Sequence, residues 1–245
     1  MSYDARDITG TPFGAPLVPS FPLRMRNTEI FTVVYRSTDA AVRRMVPHQL
    51  VLLGDLVLVH LYRMHDSDWF GRYGESAIHI PVRHEPTGTV GAFSPLLFVE
   101  SEGAVAAGRE IYGQPKKAAA ISVSPNGDLL VGRIERNGIQ IVTATMPYKQ
   151  RRASIEDLEH HASFRTNINV KVIAAVDGDG ASICEITARE FADVVIHEVW
   201  RGPGTLELRP NAQAPVHLLP VVEVLEAFHW RVDFSLVYGR TLERL

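Results

Sequence analysis

Residues 129–146 read LLVGRIERNGIQIVTATM. Two runs rich in Val, Ile and Thr, Leu129 to Glu135 and Ile139 to Met146, flank Asn137-Gly138. A two-residue hairpin turn needs positive φ at both central positions, and Asn-Gly supplies it readily. The stretch therefore predicts two antiparallel strands joined by a tight turn. The same texture extends outward. Glu29 to Tyr35, Leu56 to Arg63, Ala119 to Val123, Ile168 to Ala174, Ala181 to Ala188, Asp193 to Val199 and Thr205 to Leu208 are short β-type runs, most bounded by turn residues. Asp177-Gly178-Asp179-Gly180 reads as a further hairpin turn. Helical pattern is confined to two places. Thr38 to Val46 has Ser37 as N-cap and Pro47 as terminator; Ser154 to His161 has Ser154 and Asp157 at capping-box spacing. Strands that do not alternate with helices argue against a doubly wound parallel sheet. They predict a mostly β chain with a few short helices, an antiparallel barrel-like or sandwich domain over residues 23–245. A Gly- and Pro-rich arm, residues 1–22, precedes it.

Composition narrows the function classes. The chain has 245 residues, 46% of them apolar and 22% charged, which is enough to build a core. A net charge of −3 with both signs dispersed gives no basic face for nucleic acid. The longest apolar stretch, Leu50 to Tyr62, is broken by Gly54, Asp55 and His60, so no membrane span is expected. Nor does the N-terminus have the order of a secretory signal. The one cysteine, Cys184, leaves no disulfide framework and no multi-cysteine zinc site. A cytoplasmic protein is the expectation.

Most chemistry-bearing fragments have an ordinary explanation. His65-Asp66-Ser67-Asp68 reads as a polar loop rather than a metal site. His160 and His161 would point about 100° apart on a helix and cannot easily share one ligand. Asp177 to Gly180 lacks the distal glutamate of a calcium loop. Cys184 sits mid-strand, where a buried structural thiol is the default.

One segment differs: Gly108-Arg109-Glu110-Ile111-Tyr112-Gly113-Gln114-Pro115-Lys116-Lys117. A lysine attacks a carbonyl only as the neutral amine, and at an ordinary pKa of about 10.4 roughly one lysine in 2,500 is neutral at pH 7. An apolar setting or a second cation nearby disfavours the ammonium. Composition alone would still make Pro-Lys-Lys a solvated turn.

The segment resembles the acetoacetate decarboxylase family, whose signature is Gly-Arg-Glu followed by Pro-Lys-Lys. Further fragments resemble it in order along the chain: Asn27-x-Glu29 with Val34-Tyr35-Arg36, Val46-Pro47, Met64-His65-Asp66, Tyr73-x-Glu75-Ser76, Ile80-Pro81-Val82, Thr143 to Lys149, Ile183-Cys184-Glu185, His197-Glu198-x-Trp200 and Leu219-Pro220. The resemblance implies a mostly antiparallel, barrel-like fold assembled into homo-oligomers and acting on a small carbonyl compound. It implies Lys116 as the Schiff-base nucleophile. Lys117 would hold down the pKa of Lys116 or keep it in its apolar setting, and Glu75 would be the proton-handling carboxylate. Acetoacetate decarboxylase is itself the standard illustration of such a lysine. That no metal or organic cofactor is needed follows only from the lysine chemistry that this resemblance implies.

The sequence also departs from the family. The decarboxylases carry arginine where this chain has Thr28, a second pocket glutamate where it has His60, and tyrosine where it has Gln114. Threonine has no charge and no donor fork with which to hold a carboxylate. Arg26 or Arg109 could replace the missing arginine. Gln114 could orient a hydroxyl or carboxylate, and Tyr238 could supply a pocket hydroxyl. These changes favour a Schiff-base lyase of 2-oxo acids, an aldolase–dehydratase or hydratase. A decarboxylase of acetoacetate or a related β-keto acid is the alternative. A non-catalytic barrel that binds a small ligand is the second.

Overall fold

The computed structural model describes residues 4–7 and 10–245; the rest of the arm, residues 1–3 and 8–9, lies outside them. Beyond three short 3-10 turns, Ala5–Asp7, Glu85–Thr87 and Val216–Leu218, the described residues run through sixteen strands and three α-helices. They are β1 (Leu23–Arg36), α1 (Asp39–Met45), β2 (Val51–Leu52), β3 (Leu56–Met64), β4 (Asp66–Ser67), β5 (Tyr73–His84) and β6 (Thr89–Val99). Next come α2 (Glu102–Ala107), β7 (Lys116–Ala118), β8 (Ala120–Asn126), β9 (Leu129–Arg136), β10 (Ile139–Pro147), β11 (Arg151–Arg152) and α3 (Ile155–Glu159). The chain ends with β12 (Thr166–Ala174), β13 (Ala181–Gly202), β14 (Thr205–Leu208), β15 (Glu223–Leu236) and β16 (Arg240–Arg244).

The 129–146 hairpin forms as its turn chemistry requires, with φ of +54° at Asn137 and +73° at Gly138. It is the middle of a four-stranded sheet ordered β14-β10-β9-β8. The larger sheet runs β2-β5-β3-β1-β15-β13-β12-β6-β7. Because β6 also pairs with β5, the path turns back on itself into a barrel-like wall. The return link between β6 and β12 is two residue pairs long and parallel.

This curl explains why β1 is apolar on both faces rather than alternating, as a strand covered on both sides must be. Phe31, Val33 and Tyr35 enter a core shared with Leu130, Ile134, Ile141 and Val142 of the small sheet. Met25, Ile30 and Val34 face the inside of the wall, with Tyr62, Met64, Tyr73 and Leu97. The two cores therefore divide the labour. The outer one fastens the hairpin sheet to the wall, and the inner one contains the cavity described below.

The structure corrects several local expectations. Thr38, not Ser37, caps α1, its hydroxyl accepting from the Ala41 amide. Ala181 to Ala188 and Asp193 to Val199 are one strand, β13. Between them a register shift at Ala192/Val195, with φ of +51° at Asp193, makes a bulge where a break is expected. Strands β5 and β6 carry Pro81 and Pro95, residues that argue against a strand from sequence. Helix α2 passes directly into a π-turn over Gly108–Tyr112. The Gly-Arg-Glu segment is thus a tight helical corner. Its end needs Gly113, which has a φ of +76° and sits so near β12 that a Cβ would come within 2.4 Å of Lys171 Cα. The Ser154–Asp157 capping box is present as expected. Cys184 is free and half-buried rather than buried. Among the described residues no helix is long and apolar enough to cross a membrane.

Candidate active site

The corner at Gly113 turns the chain back along β6. There β7 pairs in parallel over three residues, with Leu97 opposite Lys116 and Phe98 opposite Lys117. Strand alternation then separates the two lysines. Lys116 points into the inner core and is 8% exposed. Lys117 points out, where its ammonium donates to the Gln213 carbonyl at 2.9 Å and to Oε1 of the same residue at 3.3 Å.

Glu75 reaches the same cavity from β5. Its side chain is 12% exposed, and its Oε2 accepts from Lys116 Nζ at 2.9 Å. The cavity holds about 40 Å³, room for roughly three waters. Its lining is largely apolar and aromatic, including Phe21, Phe70, Leu97 and Phe234. Burial pushes the Lys116 amine below the ordinary lysine value. The Glu75 carboxylate opposes this by favouring the ammonium, and the Arg189 guanidinium adds to it. The phase of β7 carries the Lys117 charge to the other face, away from the Lys116 amine whose basicity it was expected to hold down.

Gly108 explains the local sequence. A Cβ there would lie 2.4 Å from Lys116 Cδ and 2.6 Å from Cε. The absence of a side chain is what lets the lysine stem pass the helical corner.

Of the residues expected to bind substrate, Gln114 lines the cavity, with its amide nitrogen donating to Asn167 Oδ1 at 2.9 Å. The others lie elsewhere. Thr28 is fully buried, and its hydroxyl faces Met64 Sδ at 3.4 Å, so it stands behind a lining residue. His60 is equally buried; its Nδ1 meets Thr32 Oγ1 at 2.8 Å, and its ring lies 4.8 Å from that of His79, which does line the cavity. Burial holds His60 well below the ordinary histidine value and His79 down to about 3, so both rings are neutral at pH 7. Arg26 is on the outer surface, paired with Asp68 at 2.9 Å and Asp66 at 3.3 Å. Arg109 is exposed, and its guanidinium donates at 3.4 Å to the backbone carbonyl of Lys116, outside the cavity. Tyr238 is 61% exposed, and its ring meets that of the cavity-lining Phe21 with centroids 5.0 Å apart. Neither arginine enters the cavity, because each belongs to a solvent-facing edge.

One residue escapes the sequence reading. Arg189 on β13 lines the cavity and is 7% exposed. Its guanidinium carbon lies 4.4 Å from the Phe191 ring centroid and 5.4 Å from that of Tyr112. An arginine in an apolar strand is the only signal, and it does not say which strands face it. Other family-like fragments gather away from the cavity. Glu29 Oε1 pairs with His229 Nε2 at 2.7 Å and its Oε2 with His65 Nε2 at 3.2 Å, while Glu198 accepts from Lys149 and from Trp200 Nε1, each at 2.9 Å.

A buried amine of lowered basicity beside a carboxylate, in an apolar cavity, can form an imine with a small ketone and hold it away from bulk water. Comparison with known proteins agrees with this chemistry. The family model described as acetoacetate decarboxylase (ADC) matches residues 10–245. The chain is similar to an acetoacetate decarboxylase from Ralstonia nicotianae, 36% identical over 94% of this chain and 92% of that one. It is similar to another from Acidiphilium cryptum, 37% identical over 98% of each. A solved structure described as "Structural Studies of Acetoacetate Decarboxylase" superposes with a TM-score of 0.91 at 32% identity, covering 98% of this chain and 96% of that one. With the curled sheet, the inward lysine and matches over nearly the whole length in agreement, the chain belongs to the acetoacetate decarboxylase family.

Proposed function

We propose that the protein is a Schiff-base decarboxylase of acetoacetate or a closely related small β-keto acid. The observation that carries the reading is the Lys116 amine, buried in an apolar cavity with its Nζ 2.9 Å from Glu75. The neutral amine adds to the keto carbon of the substrate, and loss of water gives an imine that is protonated on nitrogen. The bond from the α-carbon to the carboxylate then breaks. Its electron pair passes into the iminium to give an enamine, and carbon dioxide leaves. Protonation of the enamine carbon and hydrolysis of the imine release the ketone and restore Lys116. Glu75, within reach of the nitrogen, takes and returns protons during addition and dehydration. The protonated imine is the electron sink, and the chain's own residues supply every group in these steps.

The 2-oxo-acid lyase reading starts from the changes at Thr28, His60 and Gln114; Thr28 and His60 stand behind the cavity lining, and Arg189 supplies a cation in it, which supports the decarboxylase reading. The homo-oligomer implied by the resemblance is supported by exposed Val172 and Val176 on the β12–β13 hairpin.

Incubation with acetoacetate followed by borohydride, intact mass and peptide mapping tests the proposal. The expected result is an isopropyl group on Lys116, carbon dioxide release, and neither in Lys116→Ala. An adduct with pyruvate and no carbon dioxide from acetoacetate would restore the 2-oxo-acid reading. No adduct, with an ordinary lysine titration, would make the protein a non-catalytic binder.

A further inference from the structure

Arg189 has a charge and no visible counter-charge. Its Nε and Nη1 are sealed from solvent and meet no hydrogen-bond acceptor among the described residues. It forms no ion pair there either; its contacts are the faces of Tyr112 and Phe191. Glu75, the carboxylate that lines the same cavity, is bonded to Lys116 instead. A guanidinium held in an apolar enclosure without an anion is costly, whereas one that receives a carboxylate makes two parallel charge-assisted hydrogen bonds. Its fork matches a carboxylate in a way that an ammonium does not. The aromatic faces on either side restrict the ion to the cavity side.

We infer that Arg189 holds the carboxylate of the substrate while Lys116 attacks its keto carbon. The inference rests on the Schiff-base reading above and deepens it: the ligand class is a short mono-anionic oxo acid that spans from β13 to β7. It also accounts for Thr28. A cation delivered from β13 does the work that an arginine on β1 would otherwise do, so Arg26 and Arg109 are free to remain outside.

The role has a kinetic signature. The carboxylate is anionic when bound and leaves as neutral carbon dioxide, so the ion pair is strongest before the bond breaks. Arg189 therefore contributes to substrate binding more than to the chemical step, and its loss raises KM more than it lowers kcat.

The test compares acetoacetate with pentane-2,4-dione, a neutral diketone in which acetyl replaces the carboxylate. With an amine it gives an enaminone that absorbs in the ultraviolet. In Arg189→Met we expect KM for acetoacetate to rise about 10- to 100-fold, the range for a hydrogen-bonded charge, while enaminone formation, compared at the optimum pH of each protein because Arg189 also helps keep Lys116 neutral, falls by much less. An unchanged KM, or a parallel fall in both reactions, would overturn the inference and leave Lys116 chemistry standing. A wild-type protein that forms no enaminone would overturn the Schiff-base reading, and the inference with it. A measurement on the wild type needs no variant to fold: butanoate, a carboxylate without a ketone, should slow enaminone formation at concentrations where butanamide does not. Equal effects of the two would also overturn the inference.

Discussion

Replacing Gly108 by alanine tests the geometry of the nucleophile with a single methyl group. The residue has helical backbone angles, φ −61° and ψ −44°, so alanine is locally acceptable and should gain about 0.5–1 kcal/mol of helix stability. The new Cβ would be 2.4 Å from Lys116 Cδ, against 3.4 Å where ordinary contact begins, so the stem must give way by about 1 Å. The obstacle is a flexible side chain rather than backbone, and overpacking of this kind costs roughly 1–3 kcal/mol. The net penalty is then at most about 2.5 kcal/mol, a fall in melting temperature of under about 10 °C for a chain of this length. The effect on catalysis is much larger. Lys116 Nζ is already at 2.9 Å from Glu75, and a shift of that size takes it beyond hydrogen-bond range. A misplacement of about 1 Å can cost on the order of 100-fold in rate. We expect Gly108→Ala to remain folded by thermal denaturation and to lose about two orders of magnitude in kcat for carbon dioxide release. Wild-type turnover in the folded variant would refute the assignment of Lys116 as the reacting group in this geometry.

Lys117→Gln should change kcat by less than about twofold, since its ammonium makes an exposed contact with Gln213; a loss above tenfold would mean that the outward charge still reaches the site. Thr28→Arg should lower the melting temperature, because a fully buried threonine packed on Met64 leaves no room for a longer charged chain. It should not increase carbon dioxide release, and a gain would show that β1 can present a cation to the substrate. Glu75→Gln removes the group that favours the Lys116 ammonium, while desolvation and Arg189 continue to oppose it. Lys116 should then be neutral at lower pH, moving the acid limb of the pH profile for enaminone formation downward; an upward move would contradict the Lys116–Glu75 contact.

Local chemistry made part of this molecule legible in sequence. Asn137-Gly138 and the Ser154–Asp157 box depend on residues within a few positions of one another, and both form as expected. The mostly β class followed from the same texture, which left barrel and sandwich open; the barrel-like form came from the resemblance. Lys116 and Glu75 meet in the structure, but residue type alone made both ordinary surface charges; the ordered resemblance singled them out. What stayed hidden depends on phase and on distant pairing. Lys117 is separated from Lys116 by the parity of a three-residue strand, set by pairing with β6 rather than by anything in Pro-Lys-Lys. Arg189 reaches the cavity because β13 lies across the wall, a consequence of the β13–β15–β1 ladder. Thr28 and His60 are near the cavity in the strand order yet stand behind Met64 and His79, and sequence cannot tell a lining residue from the one it covers.

The brevity of β7 sets how the gene can change. Three residue pairs with β6 and one glycine-ended corner hold the inward lysine in place. Deletion of one codon between Gly113 and Lys116 would draw Lys117 inward, and an amine would still face the cavity. Insertion of one codon would turn Pro115 inward, and no amine would. The tandem lysine therefore gives the locus an asymmetric tolerance to frame-preserving length changes: shortening can leave a reactive group in reach, and lengthening cannot.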